Sequence, residues 1–321
     1  MQELIALLAD GQFRGGDELG SALGVSRAAV WKQVQKLQDV GLDVQSVRGK
    51  GYRLSYPLEW VEAPLVKSQL HGNAAALLTE LDIHKLVTST NDIAMQKAAQ
   101  GVGSGYVCIA EQQTAGRGRR GRNWVSPFAS NLYLSIVWEF YQGAAQLEGL
   151  SLATGVAVAS ALSRLGVPSV GLKWPNDLLV DGAKLSGILL EMTGDPAGRC
   201  QVVLGVGVNH RLPAMAANKI DQAWARLEDF RPGIGRNLLA AAVLSELLLM
   251  LEGFSKSGFA AFQEQWSALD VYANKDVVIK TGSADMVGVA RGVDSTGGLV
   301  LETSLGRQVI KGGELSLRPL V

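Results

Sequence analysis

Glu111-Gln-Gln-Thr-Ala-Gly-Arg-Gly-Arg-Arg-Gly-Arg-Asn-Trp124 is the segment on which the fold turns. Gly116, Gly118 and Gly121 satisfy GxGxxG, the spacing of a dinucleotide-binding turn, but that match alone is weak. Such a turn must open a helix. Here Trp124-Val-Ser-Pro127 follows, and then Asn131-Leu-Tyr-Leu-Ser-Ile-Val-Trp138, a β-branched and aromatic run that reads as a strand. The Rossmann reading is excluded. What remains is a glycine-rich loop carrying Arg117, Arg119, Arg120 and Arg122. Guanidinium groups offer planar, bidentate donors to carboxylate or phosphate, and the glycines leave the loop free to order around a ligand. Taken alone, it fits an anion-wrapping strap and a basic RNA-binding surface equally well.

Three further motifs follow along the chain. Lys173-Trp-Pro-Asn-Asp177 sets an amide and a carboxylate at a strand end, behind a stiff proline. Carboxylates so placed hold Mg²⁺ on phosphate oxygens; the competing reading is a tight turn capped by Asn and Asp. Lys184-Leu-Ser-Gly187 leads into Ile188-Leu-Leu-Glu191. Beside an anionic ligand Lys184 would neutralise developing charge; otherwise it is a surface lysine. Gly205-Val-Gly-Val-Asn209 puts glycines inside a strand, which weakens it unless a ligand needs the space over its backbone. There is no Walker GxxxxGK[ST], no GxSxG and no HExxH. The three histidines, His71, His84 and His210, are scattered and give no metal-site spacing.

The first residues read separately from the rest. Leu4, Ile5, Leu7 and Leu8 recur at helical spacing, and Asp17 is positioned to cap a short helix with Leu19 and Leu23 inward. Gly24-Val25-Ser26 makes a tight turn, and Ser26 caps a second helix whose buried stripe is Val30, Val34 and Leu37. Val44–Val47 and Tyr52–Leu54, joined at Arg48-Gly49-Lys50-Gly51, read as a two-stranded ribbon. Helix, turn, helix and basic hairpin describe a winged helix-turn-helix. Between Arg27 and Arg53 stand six basic residues against two acidic, in a chain of net charge zero. Ser26, Arg27, Ala28, Trp31, Lys32 and Gln35 form the face for a major groove, and Arg48 and Lys50 the grip on phosphate; the competing reading is a solvated face on a packing domain.

Pro57 and Pro64 bracket a connection, after which strand-like runs (Tyr106–Ala110, Asn131–Trp138, Gly171–Trp174, Leu185–Glu191, Val202–Val208) mix with helix-like ones (Leu150–Leu165, Arg236–Phe254). From Val271 the pattern changes to short alternating strands at Val277–Lys280, Met286–Val293, Leu299–Glu302 and Gln308–Lys311. Turns at Gly297-Gly298 and Gly312-Gly313 complete a small β-barrel. The 321 residues, 47% hydrophobic with 38 glycines, suffice for a packed core and rule out a disordered chain. Cys108 and Cys200 form no disulfide framework, the start carries Glu3 and lacks a basic signal-peptide region, and Leu238–Leu251 is too short to span a bilayer. The expectation is a soluble, cytoplasmic protein with no membrane partner.

Taken in order, Ser89-Thr90-Asn91, the Gly116–Trp124 loop, Lys173–Asp177, Lys184-Leu-Ser-Gly-Ile-Leu189 and Gly205–Asn209 resemble the biotin–protein ligases. The winged helix adds the bifunctional bacterial form, both biotin–[acetyl-CoA-carboxylase] ligase and biotin operon repressor. The resemblance covers essentially the whole chain and is poorest from His210 to Arg236. It implies an α+β multidomain protein. A winged helix-turn-helix spans residues 1–62, a class II synthetase-like mixed α/β catalytic domain 65–270, and an SH3-like β-barrel 271–321. It implies that biotin and ATP, with Mg²⁺, form biotinyl-5′-AMP, which a lysine of biotin carboxyl carrier protein then attacks. By position, Lys184 and Arg119 are the catalytic pair. Ser89, Thr90, Asn91, Gln113, Gly116, Arg117, Gly118, Arg119, Lys184, Gly187, Gly205 and Gly207 bind biotin. Arg122, Trp124, Asn131, Lys173, Asn176, Asn209, Trp224 and Arg318 bind nucleotide, and Asp177 binds the metal. It implies further a homodimer promoted by biotinyl-5′-AMP and bound to operator DNA. The rivals are a ligand-sensing transcription factor without catalysis, a lipoate or other acyl ligase on a similar fold, and an RNA-binding protein using the arginine loop.

Overall fold

The computed structural model describes residues 2–141, 143–195, 197–213, 216, 218, 220–280, 285–311 and 316–319. Helices α1 (Gln2–Leu8), α2 (Gly16–Leu23) and α3 (Arg27–Asp39) precede the hairpin β1 (Val44–Val47) and β2 (Gly51–Leu54). Helix α2 starts one residue before the expected cap. Gly15 takes the cap position, Glu18 reaches back to its N–H at 3.2 Å, and Asp17 sits in the first turn, where its charge favours the helix dipole. Gly24 closes α2 at φ 64°, a left-handed conformation that suits glycine. Ser26 caps α3, its Oγ accepting from the Ala29 N–H at 3.2 Å. Val30, Val34 and Leu37 are buried against Leu4, Ile5, Leu8 and Leu19. Arg14 and Tyr52 exchange two backbone hydrogen bonds of 2.9 Å, fastening the wing to the loop before α2. A Cβ on Gly51 would lie 2.0 Å from the Arg14 carbonyl oxygen, so this contact requires glycine.

Helices α4 (Ala63–Ser68) and α5 (Ala74–Leu77) lead into β3 (Glu80–His84), α6 (Thr90–Ala99), β4 (Tyr106–Ala110) and β5 (Leu132–Phe140). Then come α7 (Leu150–Arg164), β6 (Val170–Lys173), β7 (Asp177–Val180), β8 (Ala183–Gly194) and β9 (Cys200–Val208). Helices α8 (Leu227–Phe230), α9 (Arg236–Ser257) and α10 (Gln263–Leu269) complete the region. Its seven-stranded sheet has the order β3-β4-β5-β9-β8-β7-β6, parallel only between β3 and β4. Two helices, Ala144–Arg164 and Arg236–Ser257, are apolar and long enough to cross a membrane by composition. Both are mostly buried, and α7 and α9 pack over one sheet face as core helices. The β3, β7 and α6 elements were not anticipated from the sequence. Helix α6 alternates Asn91, Asp92, Gln96 and Lys97 with small apolar residues, so its stripe is faint.

Strands β10 (Asp276–Lys280), β11 (Met286–Val293), β12 (Leu299–Thr303), β13 (Gly306–Ile310) and β14 (Ser316–Pro319) form an antiparallel sheet, order β13-β12-β11-β10-β14. Val277, Ile279, Leu299, Leu301 and Leu317 join the same core as the central region. The expected turn at Gly312-Gly313 lies outside the described residues.

Two polar junctions tie the regions together. Arg236, at the start of α9 and 2% exposed, donates from Nη1 to Glu111 Oε2 at 2.5 Å and to the Glu59 carbonyl at 2.8 Å. Its Nη2 donates to the Asn131 carbonyl at 3.0 Å. The second junction is the carbonyl of Val40, the C-cap residue of α3. It accepts from Gln112 Nε2 and from the Phe128 N–H, each at 3.2 Å. Phe128 itself packs into the winged-helix core, edge-on to Trp60. Gln112 and Phe128 flank the arginine loop, so both of its stems grip the end of the second helix of the helix-turn-helix.

Candidate active site

Strand period and register build the site. Lys173, Asp177, Gly187, Gly207 and Tyr133 lie in one row across the sheet, and Leu189, Gly205 and Ser135 in the next. Residues two apart share a face, so this row faces away from α7 and α9. The glycines keep the floor low. A Cβ on Gly207 would lie 2.5 Å from the Trp124 ring, one on Gly187 3.0 Å from it, and one on Gly205 2.3 Å from Asn91 Oδ1.

The arginine loop arches over this floor as a small hairpin. The Trp124 N–H donates to the Gly116 carbonyl at 2.8 Å and the Gly118 N–H to the Arg122 carbonyl at 2.7 Å. Arg120 takes φ 60° and Gly121 φ 67° at the tip. Between loop and sheet is a cavity of about 350 Å³. Its wall carries seven basic side chains, Arg117, Arg119, Arg120, Arg122, Lys173, Lys184 and Arg318, against two acidic ones, Asp177 and Asp221.

The cavity is electrically lopsided. At one end Lys184 Nζ stands 2.6 Å from Asp177 Oδ1 and 5.4 Å from the Trp124 ring centre. Arg119 Nη1 donates to Asn176 Oδ1 at 3.3 Å. Burial draws the Arg119 guanidinium below its usual value, with Asp177 opposing. Burial also lowers Lys173; Asp177 opposes this, and Arg318, Lys184 and Arg122 add to it. Ammonium and guanidinium groups held this close, with one carboxylate among them, bind anions. At the other end the groups are neutral donors and acceptors. Thr90 N–H donates to Gln113 Oε1 at 2.8 Å, Gln113 Nε2 to Ser126 Oγ at 3.0 Å, and Ser135 Oγ to Asn91 Oδ1 at 2.6 Å. A ligand with a polar, uncharged head and an anionic tail matches both ends.

Models of three known families match the chain: an HTH domain over residues 1–53, the biotin/lipoate A/B protein ligase family over 83–209, and the biotin protein ligase C terminal domain over 272–318. The bifunctional ligase/repressor BirA of Escherichia coli is 42% identical over 98% of this chain and 96% of its own. The chain belongs to the family of bifunctional ligase/repressor BirA proteins. The biotin–[acetyl-CoA-carboxylase] ligase of Paracoccus denitrificans is 33% identical over 71% of this chain and 96% of its own. The biotin protein ligase of Aquifex aeolicus, solved with biotin and ATP, superposes with a TM-score of 0.65 at 27% identity. That match covers 76% of this chain and 100% of the other. The winged helix, central mixed α/β region and C-terminal β-domain expected from the BirA-type resemblance are therefore the architecture of this chain.

Within this BirA-family fold, Ser89, Thr90, Asn91, Gln113, Arg117, Gly118, Arg119, Lys184, Gly187, Gly205 and Gly207 all line the cavity. So do Arg122, Trp124, Lys173, Asn176, Asp177, Asn209, Trp224 and Arg318. Gly116 and Asn131 do not line it. A Cβ on Gly116 would meet Ser126 Oγ at 2.6 Å, and Asn131 is fully buried, its Oδ1 accepting from the His210 N–H at 2.9 Å. Asn131 thus serves the Arg236 junction through its carbonyl and His210 through its side chain, and it does not line the cavity. Asn209 Nδ2 donates to the Lys184 and Ala225 carbonyls at 3.3 and 3.1 Å, securing segment 223–225 beside β8. Asn176 likewise anchors its turn, Nδ2 donating to the Ile188 carbonyl at 2.8 Å. Ala28, Trp31, Lys32, Gln35, Arg48 and Lys50 are exposed, as is Arg27, which pairs with Asp17 at 3.4 Å. Ser26 has its hydroxyl engaged in capping α3.

Ser135, Tyr133, Glu191, Asp92 and Asp221 escaped the sequence reading. Strand parity held the signal for the face of three of them: Ser135 is the fully buried polar residue of an apolar strand, Tyr133 lies two before it, and Glu191 follows Gly187 by four.

Proposed function

We propose that this chain activates biotin with ATP, forming biotinyl-5′-AMP, transfers biotin to a lysine of biotin carboxyl carrier protein, and represses transcription with the adenylate as corepressor. The carrying observation is the lopsided cavity. The ureido head meets Ser89, Thr90, Asn91 and Gln113; the valerate carboxylate runs over the glycine floor toward Lys184. In the first step a carboxylate oxygen bonds to the α-phosphorus and the bond to pyrophosphate breaks. Lys184 and Arg119 stand where negative charge gathers, and such pre-placed cations stabilise the transition state. In the second step a lysine amine attacks the acyl carbon and AMP leaves. Gly116 and Gly118 give the strap its turn, Arg117 anchors it, and its closure keeps water from the mixed anhydride. Arg122, Lys173, Trp124, Trp224 and Arg318 face the nucleotide, with Asn176 and Asn209 holding the walls.

Asp177 Oδ1 is buried and makes no hydrogen bond of its own beside its ionic contact with Lys184. A carboxylate so placed fits Mg²⁺, which is held by one or two carboxylates and substrate phosphates and would screen the phosphate charge. Among the described residues no cluster of three acidic, His or Cys ligands exists, consistent with a metal that arrives with nucleotide.

For repression, the exposed face of α3 meets the major groove through Ala28, Trp31, Lys32 and Gln35, while Arg27, Arg48 and Lys50 reach phosphate. Ser26 sets the start of that helix. The Val40 junction offers a route from strap to helix. A homodimer would present two such helices to a two-fold operator. Free, buried Cys108 and Cys200 suit a reducing cytoplasm. The test is incubation with biotin, Mg·ATP and a carrier domain. One biotin added to one carrier lysine, with biotin-dependent ATP–pyrophosphate exchange, is expected. Exchange driven by lipoate in place of biotin, or by neither, refutes the reading.

A further inference from the structure

Arg117 is a strap arginine whose charge is spent within the protein. Its Nη1 donates to Asp92 Oδ1 at 2.6 Å and its Nη2 to both Glu191 oxygens at 2.9 Å. Two carboxylates on one guanidinium leave no positive charge for a substrate anion. Glu191 Oε2 also accepts from Asn91 Nδ2 at 2.7 Å, while Asn91 Oδ1 takes the Ser135 hydroxyl. The Asn91 amide is therefore held in one orientation from both sides, pressed against the backbone of Gly205. Glu191 joins strap, α6 and β8, yet it does not itself line the cavity.

We infer that Glu191 is the positioning residue of the neutral end of the cavity. It fixes Asn91 and Arg117 against the biotin head, and together with Asp92 it outweighs the Arg117 charge, which leaves the Lys184 end as the place that attracts a substrate's anion. This rests on the biotin–adenylate reading above and adds a residue to it. A mere fold-stabilising ion pair would lack this arrangement, because each group that Glu191 holds is itself part of the cavity wall.

The test uses full-length Glu191→Gln, which keeps the side-chain volume and removes the charge and one acceptor oxygen. In biotin-dependent ATP–pyrophosphate exchange the KM for biotin is expected to rise about tenfold, with kcat and the KM for ATP changed much less. Arg117→Gln should act in the same direction, and the double variant should be no worse than the worse single one, because both remove one interaction. An unchanged biotin KM overturns the inference. So does a fall in kcat, ATP affinity and melting temperature together, the mark of a purely structural role. Should Glu191→Gln fail to fold, Arg117→Gln and Asp92→Asn carry the same expectation and the same refutation. If the wild type shows no biotin-dependent exchange, the functional reading itself fails; if it exchanges and the variants keep their biotin KM, only the role of Glu191 is wrong.

Discussion

Replacing Lys184 with glutamine asks how much of the first reaction step one cation carries. The side chain is 16% exposed and so is Asp177, 2.6 Å away. Its backbone is fixed on both sides, the N–H donating to the Ala223 carbonyl at 3.0 Å and the carbonyl accepting from the Ala225 N–H at 2.9 Å. The ammonium is thus pre-placed and needs little reorganisation when charge develops. Two unit charges about 4 Å apart interact by about 4 kcal/mol at an effective dielectric of about 20. The biotin carboxylate is already charged in the ground state, so only the excess attraction in the transition state counts toward rate. Removing one comparable pre-placed donor costs about 3–4 kcal/mol, or about 10²–10³ in rate. Lys184→Gln should therefore slow single-turnover adenylate formation about 300-fold, within that range. Biotin affinity should weaken by a smaller factor, about tenfold or less, as the ground-state share of the contact. Rapid-quench measurement of pyrophosphate release at saturating biotin and Mg·ATP gives the first number, and equilibrium binding of biotin the second. A rate loss below about fivefold would mean that Lys184 is spent on Asp177 and contributes nothing to the chemistry.

Arg119→Gly should loosen the strap so that the adenylate escapes and labels lysines indiscriminately; trapping released adenylate with free amines measures this, and wild-type retention would refute it. Glu111→Ala strands the buried Arg236 guanidinium and should cost about 3–5 kcal/mol in chemical denaturation, as one-sided removal of a buried pair does. Burial pulls His210 down to about 4, and its ring Nε2 lies 2.7 Å from the Ile234 carbonyl. The folded state holds it neutral, so stability is unaffected above about pH 6.5 and is lost as the pH falls from there toward 4, on the order of 3 kcal/mol in full. His210→Gln should flatten the melting temperature across that window, and an unchanged slope would show that burial of this ring is not what sets it. In DNA binding, about four phosphate contacts per winged helix give a dimer salt slope near −7, and Lys50→Ala should reduce its magnitude by about 2; binding that ignores salt would exclude the groove-and-wing geometry.

How much of this was legible follows the physics of each element. The winged helix was readable because its signals are local: Ser26 caps, Gly24 turns, and Val30, Val34 and Leu37 repeat on one face. The α2 cap was misplaced by two residues because a glycine cap at Gly15 leaves no side-chain signature, and the nearby Asp17 imitates one. Strands β5, β8 and β9 were readable as apolar runs, being buried on the α7 and α9 face. Strand β3 has only polar or half-buried positions at an edge of the sheet, and β7 has four residues, the first of them the last position of the Lys173–Asp177 motif. The cavity-lining residues were found by motif resemblance. Asn131, in the same stretch, proved to serve a buried junction, since a motif records which residues recur together and not which side chain faces the ligand. For Glu191 and Ser135 parity gives the face, but their pairing with Asn91 and Arg117 is a long-range property that no single segment contains.

The register between strands explains why the chain tolerates glycine in the middle of two central strands of its large sheet. Gly187 and Gly207 sit side by side in the row that holds Lys173, Asp177 and Tyr133, and Gly205 stands beneath Asn91. Each costs conformational entropy and leaves a side chain's worth of packing unmade. The space is filled from above by Trp124 and Asn91, which belong to the strap and to the start of α6. The floor therefore needs the strap to complete its packing, and the stems of that strap end on the Val40 carbonyl at the close of α3. A ligand that takes over the space beneath Trp124 must alter the strap's packing, and the nearest elements to absorb that change are Gln112, Phe128 and the helix they hold.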